Sequence, residues 1–250
     1  MEFFDGNVAM GLPFNGGYQP AETADELLRE MDNRGIQKAL VWHCAQTNNF
    51  PGDGNRLLAE GIAGRERLWG CWTILPPVTG EVITPDFFAA MKRDRIAVLR
   101  AFPERHRFLL NRMVFGRFLD SAAERKIPLL LSLEKQSVSW RDVYQFLQEF
   151  PTVTCVLCDV GIWSAERYTW PLLESCPNVY LETSLVSLQQ GGLEAGVRKF
   201  GARRFLFGTG FPERYPEAAM LQLLHADIPD ADKKAVASGN LEHLLSQVRL

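Results

Sequence analysis

The chain lacks most of the features that would place it quickly. No stretch approaches the ~20 uninterrupted apolar residues of a membrane span, so a membrane partner is not expected. Neither sign of charge dominates, with 27 Lys and Arg against 30 Asp and Glu for a net of −3. Such a chain carries no field to hold a phosphate backbone, and nucleic acid drops out as a default partner. Met1 to Met10 carries Glu2 and Asp5 and no basic run before an apolar core, so no signal peptide is expected there. The cysteines number five, an odd count, at 44, 71, 155, 158 and 176, which suits a reduced, cytoplasmic setting better than a disulfide framework. Histidines number only four: His43, His106, His225 and His243. No Pro-, Gly- or Ser-rich linker divides the chain. No Gly-x-Gly-x-x-Gly turn follows a strand candidate, because Gly11 and the Gly16-Gly17 pair have the wrong spacing.

What is present is a weak repeat of pattern. Short apolar runs alternate with amphipathic stretches along 250 residues, in a composition that is 46% hydrophobic and 23% charged. The strand candidates are 2–8, 37–43, 68–74, 96–102, 128–133, 153–159, 178–184 and 204–209. Each is rich in Val, Ile, Leu, Phe or Tyr, as parallel strands covered on both faces are. Between them lie helix signals. Thr23 and Glu26 form a capping box before Ala24, Leu27, Leu28 and Met31, and Gly35 ends that helix. Thr84-Pro85 and Tyr215-Pro216 open two more, and Phe115, Phe118, Leu119 and Ala122 line one face of another. Eight strand–helix units in about 250 residues predict an α/β fold: one (β/α)8 TIM barrel over residues 1–250, with an additional C-terminal helix near 230–248. An open doubly wound sheet is the runner-up.

In a barrel of this kind the chemistry sits where strands end and the following loops begin. That rule, with strand alternation, points Asp5, Asn7, His43, Trp72, Arg100, Ser132, Asp159, Glu182, Ser184, Gly208 and Gly210 into the mouth. Arg100 needs a carboxylate partner, since an isolated buried charge is too costly, and Asp5, Asp159 and Glu182 are available. It serves either an interior ion network or a clamp on a substrate carboxylate. Asp159 is either a general base or the N-cap of the segment starting near Gly161. His43 ends the second strand and either lines the site or packs there. Trp42, Trp72 and Trp163 either wall an apolar pocket or belong to the core. Glu134 is expected in solvent, His106 in a polar loop, and His225 and His243 at helix surfaces. Cys155 and Cys158 read as Cys-x-x-Cys, but residues three apart on a strand face opposite ways, so burial is expected rather than a shared metal ion.

These pieces, in this order, resemble the metal-dependent amidohydrolase superfamily, in the branch that includes lactonases and aromatic-acid decarboxylases. Residues 5–11 (DGNVAMG) fall where that family has Asp-x-His-x-His-x-Gly. Residues 26–41, NVYLETS at 178–184, and Gly239-Asn240 before an apolar helix resemble further family segments. Asp159-Val160-Gly161 stands where the sixth strand has His-x-Gly, and FGTGFP at 207–212 where the eighth has Phe-Gly-Ser/Thr-Asp-Tyr/Phe-Pro. The resemblance implies a hydrolase label and a zinc site. The family's ligand positions correspond here to Asn7, Ala9, Ser132, Asp159 and Gly210, and none keeps the family residue. Ala9 and Gly210 bring no donor atom, Asn7 and Ser132 bring neutral oxygens, and a catalytic zinc needs about three His, Cys or carboxylate ligands. The expectation is therefore no cofactor.

Three readings follow. In the first, a hydrolase or carbon–carbon lyase works without the usual metal, through Asp159, Arg100 and His43, with Asn7, Ser132, Trp72, Glu182 and Ser184 around a small, carboxylate-bearing substrate. In the second, a catalytically silent relative binds a small ligand or a partner protein. In the third, an oxygen-rich Mg or Mn site is made from Asp5, Asn7 and Asp159. Nothing in the sequence speaks against a homo-oligomer.

Overall fold

The computed structural model describes residues 1–13, 20–48, 50–133, 138–161, 165–186 and 190–250. Gly16, Gly17, Glu134 and Trp163 lie outside the described residues. Strands β1 (Phe4–Met10), β2 (Lys38–His43), β3 (Leu68–Thr73), β4 (Ile96–Ala101), β5 (Leu129–Ser132), β6 (Cys155–Cys158), β7 (Val179–Glu182) and β8 (Phe205–Leu206) pair in chain order, all parallel. Between successive strands run α1 (Ala24–Arg34), α2 (Pro51–Ile62), α3 (Phe87–Arg93), α4 (Arg112–Glu124), α5 (Trp140–Glu149), α6 (Glu166–Ser175) and α7 (Gly192–Phe200). The chain ends in α8 (Pro216–His225), α9 (Asp230–Lys234) and α10 (Asn240–Ser246), the last two joined by a π turn over Ala235–Gly239. The expected barrel and its C-terminal helix are both present.

Local chemistry sets these elements. Thr23 Oγ1 accepts from Glu26 N at 3.2 Å while the Glu26 carboxylate takes the Thr23 N–H, also at 3.2 Å, so the capping box starts α1. Gly35 ends it in the left-handed conformation, φ 71°. The seam between β8 and β1 is closed by backbone bonds from Gly6 N to Phe207 O (2.8 Å), Gly210 N to Asn7 O (3.1 Å) and Ala9 N to Phe211 O (2.8 Å). The buried Asp5 side chain reinforces that seam. Its Oδ2 accepts from Thr209 Oγ1 at 2.5 Å, and its Oδ1 accepts from the backbone of Thr209 and of Asn7 at 3.0 and 3.1 Å.

Two apolar cores flank the strands. The outer one fills the space between strands and helices. The inner one consists of Phe4, Leu40, Cys71, Val98, Leu130, Val156, Cys158 and Leu206, with Leu241 and Leu244 of α10 laid against them. Lys38 opens β2 and pairs with Glu242 of α10 at 2.6 Å, so α10 covers the N-terminal end of the barrel. Cys155 belongs to the outer core and Cys158 to the inner one, as alternation requires, and both thiols are free. Among the described residues no helix is long and apolar enough to cross a membrane.

Asp5 needs donors because its carboxylate is 1% exposed. Thr209→Val keeps the shape and removes one donor from it. Denaturant unfolding should show a loss of about 1–3 kcal/mol, and Thr209→Ser should recover most of it.

Candidate functional site

The strand tips bring six of the eight expected site residues into one network, with Asn7 at its centre. Its amide oxygen accepts from Arg100 Nη1 at 3.0 Å, and its Nδ2 donates to Asp159 Oδ1 at 3.0 Å and to Glu182 Oε2 at 3.1 Å. A neutral amide has one acceptor and two donors to offer, and all are used. Ser132, the last residue of β5, donates to Asp159 Oδ2 at 2.7 Å. Ser184 donates to Glu182 from both Oγ, at 2.9 Å, and its backbone N–H. Asp159 directly follows β6 and holds a left-handed backbone, φ 54°. That conformation is costly for a residue with a Cβ and is maintained by the surrounding contacts.

The carboxylate of Asp159 lies between two guanidinium groups. Arg214, on the loop after β8, donates from Nη1 to Oδ1 at 2.8 Å, and Arg100 Nη2 stands 3.6 Å from Oδ2. Arg100 is 2% exposed, Asp159 5% and Arg214 17%. Arg100 lies over the rings of Trp42 and Phe102, 4.6 and 5.3 Å from their centroids. Its buried Nε has no hydrogen-bond partner among the described residues. Two glycines make room for this arrangement. A Cβ at Gly210 would collide with Arg214 Nη1, and a Cβ at Gly208 with the Glu182 carboxylate. Burial pushes the Glu182 carboxyl up to about 7, with the nearby Asp159 charge adding to the effect. Burial likewise raises Asp5 to about 6 against its hydrogen bonds to Thr209 and Asn7.

Two expected site residues point elsewhere. Trp72 faces the helix layer rather than the mouth: it packs on Phe87 at 5.5 Å, and its indole N–H donates to Asn55 O at 3.1 Å. In β3 the inward residues are Trp69 and Cys71, one position out of phase with the expectation. In β2 the inward residues are Leu40 and Trp42, so His43 falls on the other face. His43 Nδ1 accepts from Ala45 N at 3.1 Å, and its ring covers Gly11, where a Cβ would come within 2.6 Å of Cε1. Burial lowers its pKa. Trp42, weighed between pocket wall and core, packs on the inner core and lies under Arg100. His225 and His243 are exposed, as expected. His106 is half-buried, edge-on to Phe102 at 5.8 Å. Arg214 escaped the sequence reading. Its signal was the pair of side-chain-free positions at 208 and 210, which leave a space that another residue must fill. Among the described residues no three His, Cys, Asp or Glu side chains converge to hold a metal ion.

Asp5 and Glu182 hold protons more tightly in the folded chain than in the unfolded one. Their contribution to stability is full at acid pH and is lost as pH rises from about 4 through 6 for Asp5 and through 7 for Glu182. A melting series from pH 5 to 8 should fall with pH. Glu182→Gln should melt lower at acid pH and show a flatter profile above pH 6.

Comparison with solved structures finds the same architecture repeatedly, at identities that speak to fold alone. An uncharacterised TIM-barrel protein from Bordetella bronchiseptica superposes with a TM-score of 0.77 at 16% identity, covering 99% of each chain. A 2,6-dihydroxybenzoate decarboxylase from Rhizobium gives 0.74 at 14% identity, over 98% of this chain and 99% of the other. A putative amidohydrolase from Staphylococcus aureus gives 0.74 at 12%, over 98% and 100%. Comparison with curated proteins finds no match. The family model described as Amidohydrolase matches residues 9–245, from the first strand through the last helix. The chain therefore belongs to the amidohydrolase family.

Proposed function

We propose that the C-terminal mouth of this barrel binds a small carboxylate-bearing molecule, and that it does so without a divalent metal ion. The observation that carries this reading is the guanidinium pair at the mouth. Arg100 and Arg214 both address Asp159, and the buried Arg100 still has an N–H with no acceptor. A guanidinium is a fork of five donors matched to planar anions. A carboxylate offers the acceptors that this one lacks.

The donor chemistry supports a metal-free site. Among the positions corresponding to the family's ligands, Ala9 and Gly210 bring no donor atom. The Asn7 oxygen is turned to Arg100, and the Ser132 hydroxyl donates to Asp159. Arg214 lies in the space that a side chain at 210 would need. Only the Asp159 carboxylate is left for a cation, and two guanidinium charges already neutralise it. The same count weakens an Mg or Mn site on Asp5, Asn7 and Asp159, because both Asp5 oxygens are engaged by Thr209 and Asn7.

Turnover is the second reading, a hydrolysis or decarboxylation. It is favoured by Glu182, a carboxyl held near neutrality beside the network and so able to exchange a proton at physiological pH. Arg100 would clamp the substrate and Asp159 is the other group available for acid–base work, whereas His43, on the opposite face of β2, is not. A small molecule is the partner in either reading, and five free cysteines suit a cytoplasmic setting.

Metal analysis of protein purified without chelators, paired with melting in a panel of mono- and dicarboxylates, tests the proposal. Substoichiometric metal is expected. A bound carboxylate should raise Tm by about 5–10 °C at a hundredfold excess over its Kd, and EDTA should not alter that rise. Stoichiometric zinc that disappears in Asp159→Ala would overturn the reading. Turnover that survives EDTA and is lost in both Arg100→Ala and Asp159→Ala would select the enzyme over the silent binder.

A further inference from the structure

We infer that Asp159 is an internal stand-in for the ligand's carboxylate, and that a ligand binds by taking Arg214 away from it. This rests on the carboxylate reading above and goes further, naming the group that the ligand displaces.

Asp159 is held as a bound anion would be. A guanidinium and an amide reach Oδ1 at 2.8 and 3.0 Å, and a hydroxyl reaches Oδ2 at 2.7 Å. A second guanidinium stands 3.6 Å away, too far for a good hydrogen bond. That second group, Arg100, is the most buried of the three charges and, among the described residues, is short of acceptors: Nη1 serves Asn7, Nη2 has only the long contact, and Nε has no partner. One carboxylate is shared by two cations and satisfies one of them well. The backbone that presents it is strained, with φ 54° at a residue carrying a Cβ. Such a conformation persists where the contacts it enables repay it.

Arg214 is the displaceable member. It is the most exposed of the three, it sits on a loop rather than a strand, and it lies over a position without a Cβ. In the complex its guanidinium passes from Asp159 to the incoming carboxylate. The ligand then competes with Asp159 for Arg214, so its measured affinity falls short of what the guanidinium pair could provide.

The inference predicts that removing the Asp159 charge strengthens ligand binding. Asp159→Asn keeps the shape, and Asn tolerates the left-handed backbone better than most residues. Benzoate, succinate and citrate are titrated into the wild-type protein and this variant by calorimetry. The carboxylates that bind should bind the variant about tenfold tighter or more, the value of one charge-assisted hydrogen bond. Adding Arg214→Ala to Asp159→Asn should cancel the gain. If the variant does not fold, the wild-type protein crystallised with its tightest carboxylate gives the answer. Arg214 should then contact the ligand and lie beyond hydrogen-bond distance of Asp159. Equal or weaker binding by Asp159→Asn, or an Arg214–Asp159 contact that survives in the complex, overturns the inference and leaves the carboxylate reading standing. Failure of all three compounds to bind either protein overturns both.

Discussion

The mouth of this barrel is organised by the need to keep a buried guanidinium neutralised. Arg100 is among the largest fully buried side chains of the protein, and such a charge is tolerated only with counter-charge and hydrogen bonds close by. Asn7 makes this workable. Its amide turns an oxygen to the cation and a nitrogen to the carboxylates of Asp159 and Glu182. It thereby separates the two anions while holding both. A histidine there, as the family resemblance would have, offers one donor and one acceptor when neutral. It could not make all three contacts.

The fold was legible because eight short apolar runs and their intervening helix caps each carry their own local signal. Which way a strand end faces was legible only in part. In β4, β5 and β7 the polar residue near the tip, Arg100, Ser132 or Glu182, marks the inner face by standing out against apolar neighbours. In β2 and β3 the tips are KALVWH and LWGCWT. These have no clean alternation to read, because a strand covered on both faces buries apolar residues on both. His43 and Trp72 were misplaced by one residue for that reason. Arg214 could not be reached from strand phase at all, since a loop positions it and its place is defined by missing side chains at 208 and 210.

Those glycines tie the end of β8 to the electrostatics of the site. Gly208 admits the Glu182 carboxylate and Gly210 the Arg214 guanidinium, while Thr209 between them turns to Asp5 and fastens the seam with β1. Three consecutive residues thus set one anion, one cation and the closure of the barrel. The family match from residue 9 to 245 explains the scaffold.

The apolar filling beneath the network also isolates it from below. Phe4, Leu40, Leu206 and their neighbours occupy the barrel axis, and Leu241 and Leu244 of α10 seal its far end. The charged network at the strand tips therefore rests on an apolar floor, which keeps water from its carboxylates along the barrel axis.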